Sequence, residues 1–369
     1  MSKGATSKIV LNSLKMTKKI FTAFYEKKAV SNTGFRHMAA NMISLCNYVI
    51  LRKLGNTFVE MELSSVCNSR CIFCSYVKIA GSGKKLQQMA PETYEKVLEK
   101  LKLVNYETVS FTPTTGDTLI NPDWDGYIRK ALALDPLKTI LLYTNGILMN
   151  KENIEKLIGL LKYDKQRKIF SLLFSLGGFD RETYTFMFGV DKFNQVKENI
   201  KTLLSRLQEE KMTLLVNLEF RIPNDYQLDL NKVKKELNTA GYPFLGARVL
   251  RKFAGIEGLE KSEKLCYNEE TGEKKKFCSY LRKTRFAADG GVWADGCVVS
   301  ELPGDTSLKL GTVDDEWHDL EYHRKRIVDE WIHHGRIPAP CRTCTLYRSD
   351  NKPFQEGLAI PLWEGIYAR

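Results

Sequence analysis

The chain has 369 residues, of which 43% are hydrophobic and 11% aromatic; this describes an ordinary globular protein with ample core and excludes a disordered one. The net charge is +12, but ten basic residues and a single acid, Glu26, fall in residues 1–58. That arm therefore holds +9, and the nearly neutral remainder excludes a nucleic-acid surface spread over the main body.

The arm reads as helix. Residues 17–28 and 35–55 space their apolar side chains three or four apart, with Gly55 as a stop. A helical pair packing on the main body is the favoured reading; docking on an anionic membrane surface or an acidic partner is the other. The apolar run Met42–Leu51 falls short of the about 20 residues that a membrane span needs. The N-terminus lacks a secretory signal, and nine cysteines, seven of them in metal-like spacings, argue for a reducing cytoplasm.

From Phe58 the pattern alternates. Strand-like runs at 57–65, 106–114, 138–146, 169–177, 213–222 and 244–250 are separated by helical runs starting at Pro91, Trp124, Asn150, Lys192 and Asp229. Six strands with helical crossovers predict an α/β fold built on a parallel sheet. Beyond about residue 256 the alternation stops. A turn-rich stretch, a hairpin-like run at 285–296 and one long helix, Asp314–His334, follow. The expected organisation is an N-terminal extension (1–57), a main domain (58–255) and a smaller module (256–369).

The sequence CNSRCIFC sets Cys67, Cys71 and Cys74 in the loop after the first strand, at the end of a barrel-like sheet where active sites are built. Thiolates favour zinc or iron–sulfur clusters, and a closed site of either kind uses four protein ligands. Three cysteines at this spacing can hold three irons of a cubane and leave the fourth open for a substrate or cofactor. Zinc completed by a distant residue, or three core cysteines, are the bland alternatives.

These residues resemble the radical S-adenosylmethionine (SAM) superfamily, with a likeness that runs over residues 58–350. In that family the open iron chelates SAM, and the aromatic residue before the third cysteine lies near the adenine; Phe73 has that place. The family's Gly-Gly-Glu-Pro stretch, which meets the methionine amino group, corresponds to Thr115, Gly116 and Asp117, with Asp one methylene shorter than Glu. The sequence YTNG, with Thr144 and Asn145, matches the third-strand motif. FSLGG matches the family's Ser-Leu-Asp-Gly, with Gly177 in place of Asp and Ser175 directed at the ribose. The resemblance implies a partial (β/α)6 TIM-like barrel, a SAM-binding [4Fe–4S] cluster on Cys67, Cys71 and Cys74, and SAM itself. It also implies an external reductant such as flavodoxin or ferredoxin.

Downstream, Cys278, Cys297, Cys341 and Cys344 bracket the hairpin and the long helix, and on spacing alone a zinc ribbon and an iron–sulfur cube fit equally well. The stretches FAADGGVWADGC, LKLGTVDDEWHD and APCRTCTLY resemble the auxiliary-cluster region of SPASM and twitch domains. The likeness implies a second, closed [4Fe–4S] cluster and a hairpin-plus-helix twitch module. One extra residue precedes Cys297 relative to the twitch spacing. Cys266 is a spare thiol, an alternative ligand or a hydrogen-atom donor, with a structural residue favoured; Cys46 shares the donor reading.

Arg248 and Arg251 lie on or just past the sixth strand. Either could bind a carboxylate or phosphate or assist deprotonation, and Arg251 is the candidate catalytic contact, although packing is the commoner role. His333 and His334 suit the C-terminal end of a helix. The expected function is reductive cleavage of SAM and hydrogen abstraction, ending in oxidation of a sugar, aminocyclitol or related small polyol. Maturation of a ribosomal peptide is the alternative within catalysis. A non-catalytic iron–sulfur or zinc protein is the alternative outside it. Fold and cluster set do not fix the substrate.

Overall fold

The computed structural model describes residues 58–104, 106–112, 114–135, 137–165, 168–255, 261–268, 274, 278–294, 304–345, 347 and 360–361. The basic arm, Cys46 and Cys297 lie outside these residues.

Six parallel strands form the centre: β1 (Phe58–Met61), β2 (Thr108–Phe111), β3 (Thr139–Thr144), β4 (Ile169–Leu176), β5 (Leu215–Arg221) and β6 (Leu245–Leu250). They neighbour one another in chain order, as helical crossovers of constant hand require. The architecture is mixed α/β with a parallel sheet, consistent with a partial TIM-like barrel. The crossovers include α1 (Tyr76–Gly81), α2 (Pro91–Val104), α3 (Trp124–Leu132), α4 (Lys151–Tyr163), α5 (Arg181–Phe188), α6 (Phe193–Glu209) and α7 (Leu230–Leu237). Helix starts are fixed by side-chain caps: Asn150 accepts the Asn153 N–H at 3.0 Å, Asp180 that of Thr183 at 2.8 Å, and Asp229 those of Asn231 and Lys232.

Side-chain alternation divides the sheet. Val59, Phe111, Leu142, Phe174, Leu218 and Phe220 are fully buried towards the helices. The opposite, concave face takes the intervening residues, among them Glu60, Ser110, Ser175, Glu219 and Arg248. A parallel sheet is commonly apolar on both faces. Charged residues on this one mark it as the lining of a site.

The segment beyond residue 256 joins the same sheet. After the short pair β7 (Lys252–Phe253) and β8 (Cys266–Tyr267), β9 (Thr284–Phe286) pairs parallel with β1, Arg285 opposite Glu60. Strands β10 (Gly291–Trp293) and β11 (Lys309–Thr312) continue the edge antiparallel. The β9–β10 turn needs Gly290, whose φ of +83° disfavours other side chains. At the far edge β12 (Ile360–Pro361) pairs with β6.

The long helix α8 (Trp317–His334) begins three residues later than the sequence predicts, because Asp315 turns back to accept the Thr312 N–H and hydroxyl. Its Arg324 is buried and donates to the carbonyls of Leu281 and Lys283, each at 2.6 Å, and to the Thr284 hydroxyl at 2.7 Å. A short helix, α9 (Ala339–Arg342), follows. No helix among the described residues is long and apolar enough to cross a membrane.

Candidate functional site

The loop after β1 is pinned from two sides. From one, the Asp117 N–H donates to the Val66 carbonyl at 3.0 Å, and Gly116 lies so close that a Cβ there would sit 1.9 Å from the Ser64 oxygen. From the other, the C-terminal carbonyls of α5 accept the cysteine loop: Arg70 N–H reaches Phe188 at 2.9 Å and Ile72 N–H reaches Met187 at 3.1 Å. Cys67, Cys71 and Cys74 are thereby held on a fixed backbone, and the Tyr76 N–H points at the Cys74 sulfur at 3.4 Å.

All three cysteines are half-buried residues, and their thiols are pushed up. Burial is the main cause in each. The Cys67 thiol reaches about 12, with the Asp117 carboxylate and Cys74 adding to the effect. Cys71 feels both of the other thiols, while Arg221 favours the thiolate forms of Cys71 and Cys74. Among the described residues no three Cys, His, Asp or Glu side chains converge on one point as a single ion requires. The thiols are spaced along the loop, yet within range of one another's charge. Soft donors that resist ionisation alone, beside a guanidinium, fit a thiolate-ligated cluster whose cationic irons reverse that resistance.

The sequence motifs after β2 and β3 meet each other. One Asp117 oxygen accepts the Leu119 N–H at 3.0 Å, the other accepts the Asn145 N–H at 2.8 Å, and the Thr144 hydroxyl lies within 3.1 Å of both. The carboxyl is fully buried, and burial raises it to about 6 against these donors. Both oxygens are thus engaged in locking the two loops together. The Asn145 amide reaches onward to Asn68 at 2.6 Å and to the Cys67 sulfur at 3.9 Å. Thr115 is buried alongside.

The remaining candidates are distributed around this centre. Phe73 stacks on Phe253 with ring centroids 5.2 Å apart, meets Phe188 edge-on, and takes the Arg221 guanidinium over its face at 5.3 Å. Ser175 lies on the concave face of β4, opposite Glu219 of β5. Arg251 donates one nitrogen to the carbonyls of Pro223, Asn224 and Tyr226, clamping the loop after β5. Cys266 sits on β8, its sulfur 3.9 Å from the Tyr267 carbonyl.

At the downstream set, Cys278 feels the charge of Cys344; its thiol is raised mainly by burial and eased by the Tyr280 N–H and by Lys274 and Lys283. Lys274 holds the knuckle itself, donating to the carbonyls of Cys341 and of Cys344, the latter at 3.0 Å. Three of the four candidate ligands are therefore in one neighbourhood of the chain.

The sequence reading passed over Asn68, Glu219 and Arg221. A signal was available for two of them: NLEFR sets an acid and an arginine two apart in a parallel strand, on one face.

Residues 61–219 match the Radical SAM superfamily model. This segment is a Radical SAM domain. The GTP 3′,8-cyclase of Chlorobaculum tepidum is 25% identical over 167 residues, 45% of this chain and 47% of its own length. An uncharacterized protein of Methanocaldococcus jannaschii is 29% identical over 181 residues, 48% of this chain and 52% of that protein. The chain thus spans about half the length of the curated relatives it matches. The structure of native anSMEcpe with bound AdoMet aligns with a TM-score of 0.50 at 16% identity, over 83% of this chain and 94% of that one. That likeness is one of fold, and the Radical SAM domain supplies the central strands of it.

Proposed function

We propose that the protein is a radical SAM enzyme whose Cys67, Cys71 and Cys74 hold a [4Fe–4S] cluster open at one iron. When bound, that cluster supplies the electron that cleaves SAM to methionine and a 5′-deoxyadenosyl radical. The observation that supports this best is the lock between Asp117, Thr144 and Asn145, which is tied through Asn145 to Asn68 and the Cys67 sulfur. It fixes the loops after β1, β2 and β3 as one rigid rim. Catalysis that depends on orienting a bound cofactor needs such a rim more than it needs a reactive side chain.

In this reading the backbone of Thr115–Asp117 and the Asn145 amide face the methionine end, Phe73 lies by the adenine, and Ser175 faces the ribose. With both Asp117 oxygens engaged, recognition of the ammonium falls to backbone carbonyls. The concave face, lined by Glu60, Ser110, Glu219 and Arg248, suits a small polar substrate better than an apolar one. Cys278, Cys297, Cys341 and Cys344 would hold a second cluster closed by four thiolates, which suits electron transfer rather than substrate ligation. That combination favours oxidation of a C–H bond bearing a hydroxyl or amine, with the substrate giving up one hydrogen atom, then one proton and one electron.

The test is direct. Anaerobically reconstituted protein, reduced with dithionite, is expected to convert SAM to 5′-deoxyadenosine and methionine, and replacing any of Cys67, Cys71 or Cys74 with Ala is expected to abolish this. Undiminished cleavage in such a variant overturns the assignment.

A further inference from the structure

Three neighbouring strands place Ser175, Glu219 and Arg248 on one rung of the sheet, and the next residue of β5 on that face is Arg221. Glu219 is fully buried but shared by two guanidinium groups. Arg221 Nε donates to one of its oxygens at 2.7 Å, and Arg248 forms an ion pair with the other. Arg221 also covers the Phe73 ring and feels the Cys71 and Cys74 thiols, which sets this rung beside the cysteine loop.

Glu60 faces Lys283 at 3.0 Å, and Glu62 lies 3.8 Å from Arg285 and also feels Lys84. Glu219 is paired with two guanidinium groups, of which Arg221 also feels the Cys71 and Cys74 thiols. The Arg221 and Arg248 side chains are 33% and 29% exposed, and so both reach an open surface. Arg248 Nε is buried and, like the Glu219 oxygen with which Arg248 is paired, has no hydrogen-bond partner among the described residues. A buried guanidinium N–H without an acceptor is costly, and a planar fork with donors to spare is matched by a carboxylate or a phosphate.

The geometry points to an anion-binding subsite in which Arg248, positioned by Glu219 and backed by Arg221, takes a carboxylate or phosphate group of the substrate. The inference rests on the radical SAM reading for which molecule is transformed, but not for the binding itself. It narrows the substrate to an acidic or phosphorylated small molecule, and it moves the arginine of interest from Arg251, whose nitrogen is occupied by three carbonyls, to Arg248.

The experiment titrates the anaerobically reconstituted, SAM-saturated full chain with inorganic phosphate and, separately, with succinate, by calorimetry. At least one anion is expected to bind, and which one identifies the source of the charge. Arg248→Ala is expected to weaken binding about tenfold or more, and Arg248→Lys to recover only part of the loss because the fork is gone. Glu219→Gln is expected to tighten binding several-fold by removing the neutralising charge, while Arg129→Ala on α3 changes nothing. Failure of both anions to bind, or equal binding by wild type and Arg248→Ala, overturns the proposal. Should Arg248→Ala lose its iron, Glu219→Gln decides alone, and unchanged or weaker binding overturns it. 5′-Deoxyadenosine formation by the same wild-type sample keeps the two readings apart: cleavage without anion binding removes the subsite only, and binding without cleavage removes the enzyme assignment only.

Discussion

Asp117 accepts the backbone N–H of Asn145 at 2.8 Å, and this bond, together with those of the Thr144 hydroxyl, ties the loop after the second strand to the end of the third and the loop that follows it. The carboxyl is buried and raised to about 6 from an ordinary 3.8, so it holds its proton more tightly folded than unfolded. Its favourable contribution is complete below the unfolded value and is lost as pH rises through about 6. The full swing is roughly 3 kcal/mol. Urea unfolding of the metal-free protein at pH 4 and pH 7 is expected to show wild type losing up to that amount relative to Asp117→Ala. A wild-type advantage that grows with pH would contradict the sign.

Gly116 is required for its lack of a side chain rather than for its torsion angles. A Cβ would stand 1.9 Å from the Ser64 carbonyl, so Gly116→Ala forces the loop off the segment that leads into Cys67. The expected cost is about 2–4 kcal/mol. Iron retained after reconstitution should fall together with the melting temperature. A variant that keeps full iron and full stability would show that the loop moves freely.

The strands were legible because their apolar runs are long and bounded by turns. Leu172, Phe174, Leu218 and Phe220 announce buried strands whatever lies around them. The helix α5 was not read in advance, since RETYTFMF is short and its importance is tertiary: its last carbonyls receive Arg70 and Ile72. For the same reason motif spacing located Asp117, Thr144 and Asn145 but not their union, which depends on where three strand ends stop relative to one another. The hairpin expected at 285–296 was read as a feature of a separate small module, and its strands run from Thr284 to Trp293. Its parallel pairing with β1 is invisible locally, because the two strands lie more than two hundred residues apart. Arg251 stood at a strand end where function is common, and the structure gives it a loop to hold.

One side chain of α8 helps to fasten that hairpin. Arg324 spends donors on Leu281, Lys283 and Thr284, and truncation takes a donor from the Leu281 and Lys283 carbonyls while the Thr284 hydroxyl keeps its bond with Tyr106. Arg324→Ala is expected to cost about 2–4 kcal/mol, and Arg324→Lys to recover little because a point charge cannot reach three acceptors set around a fork. Proteolysis between residues 261 and 316 should quicken in both variants while the fragment containing the Radical SAM domain survives. Equal protection in the lysine variant would mean that charge alone suffices.

The downstream cysteines distinguish two metal chemistries by stoichiometry. Cys278 lies within reach of the Cys344 charge, and Lys274 holds the carbonyls of Cys341 and Cys344. A knuckle of this shape serves zinc or a cubane alike. Lys274 breaks the symmetry, since its charge eases the negative charge of a four-thiolate cluster and raises the potential at which it accepts an electron. Two cubanes require about eight irons per chain. Reconstituted wild type is expected to approach that figure, and the double variant Cys341→Ala with Cys344→Ala to keep about four irons along with SAM cleavage. Cys297→Ala is expected to behave like the double variant if it supplies the fourth thiolate. Lys274→Met should leave the iron count intact and shift the midpoint potential of the second cluster downward in a redox titration followed by electron paramagnetic resonance. One tightly bound zinc and four irons in the wild type would instead make the downstream set a structural ribbon, and the substrate's second electron would have to leave by another route.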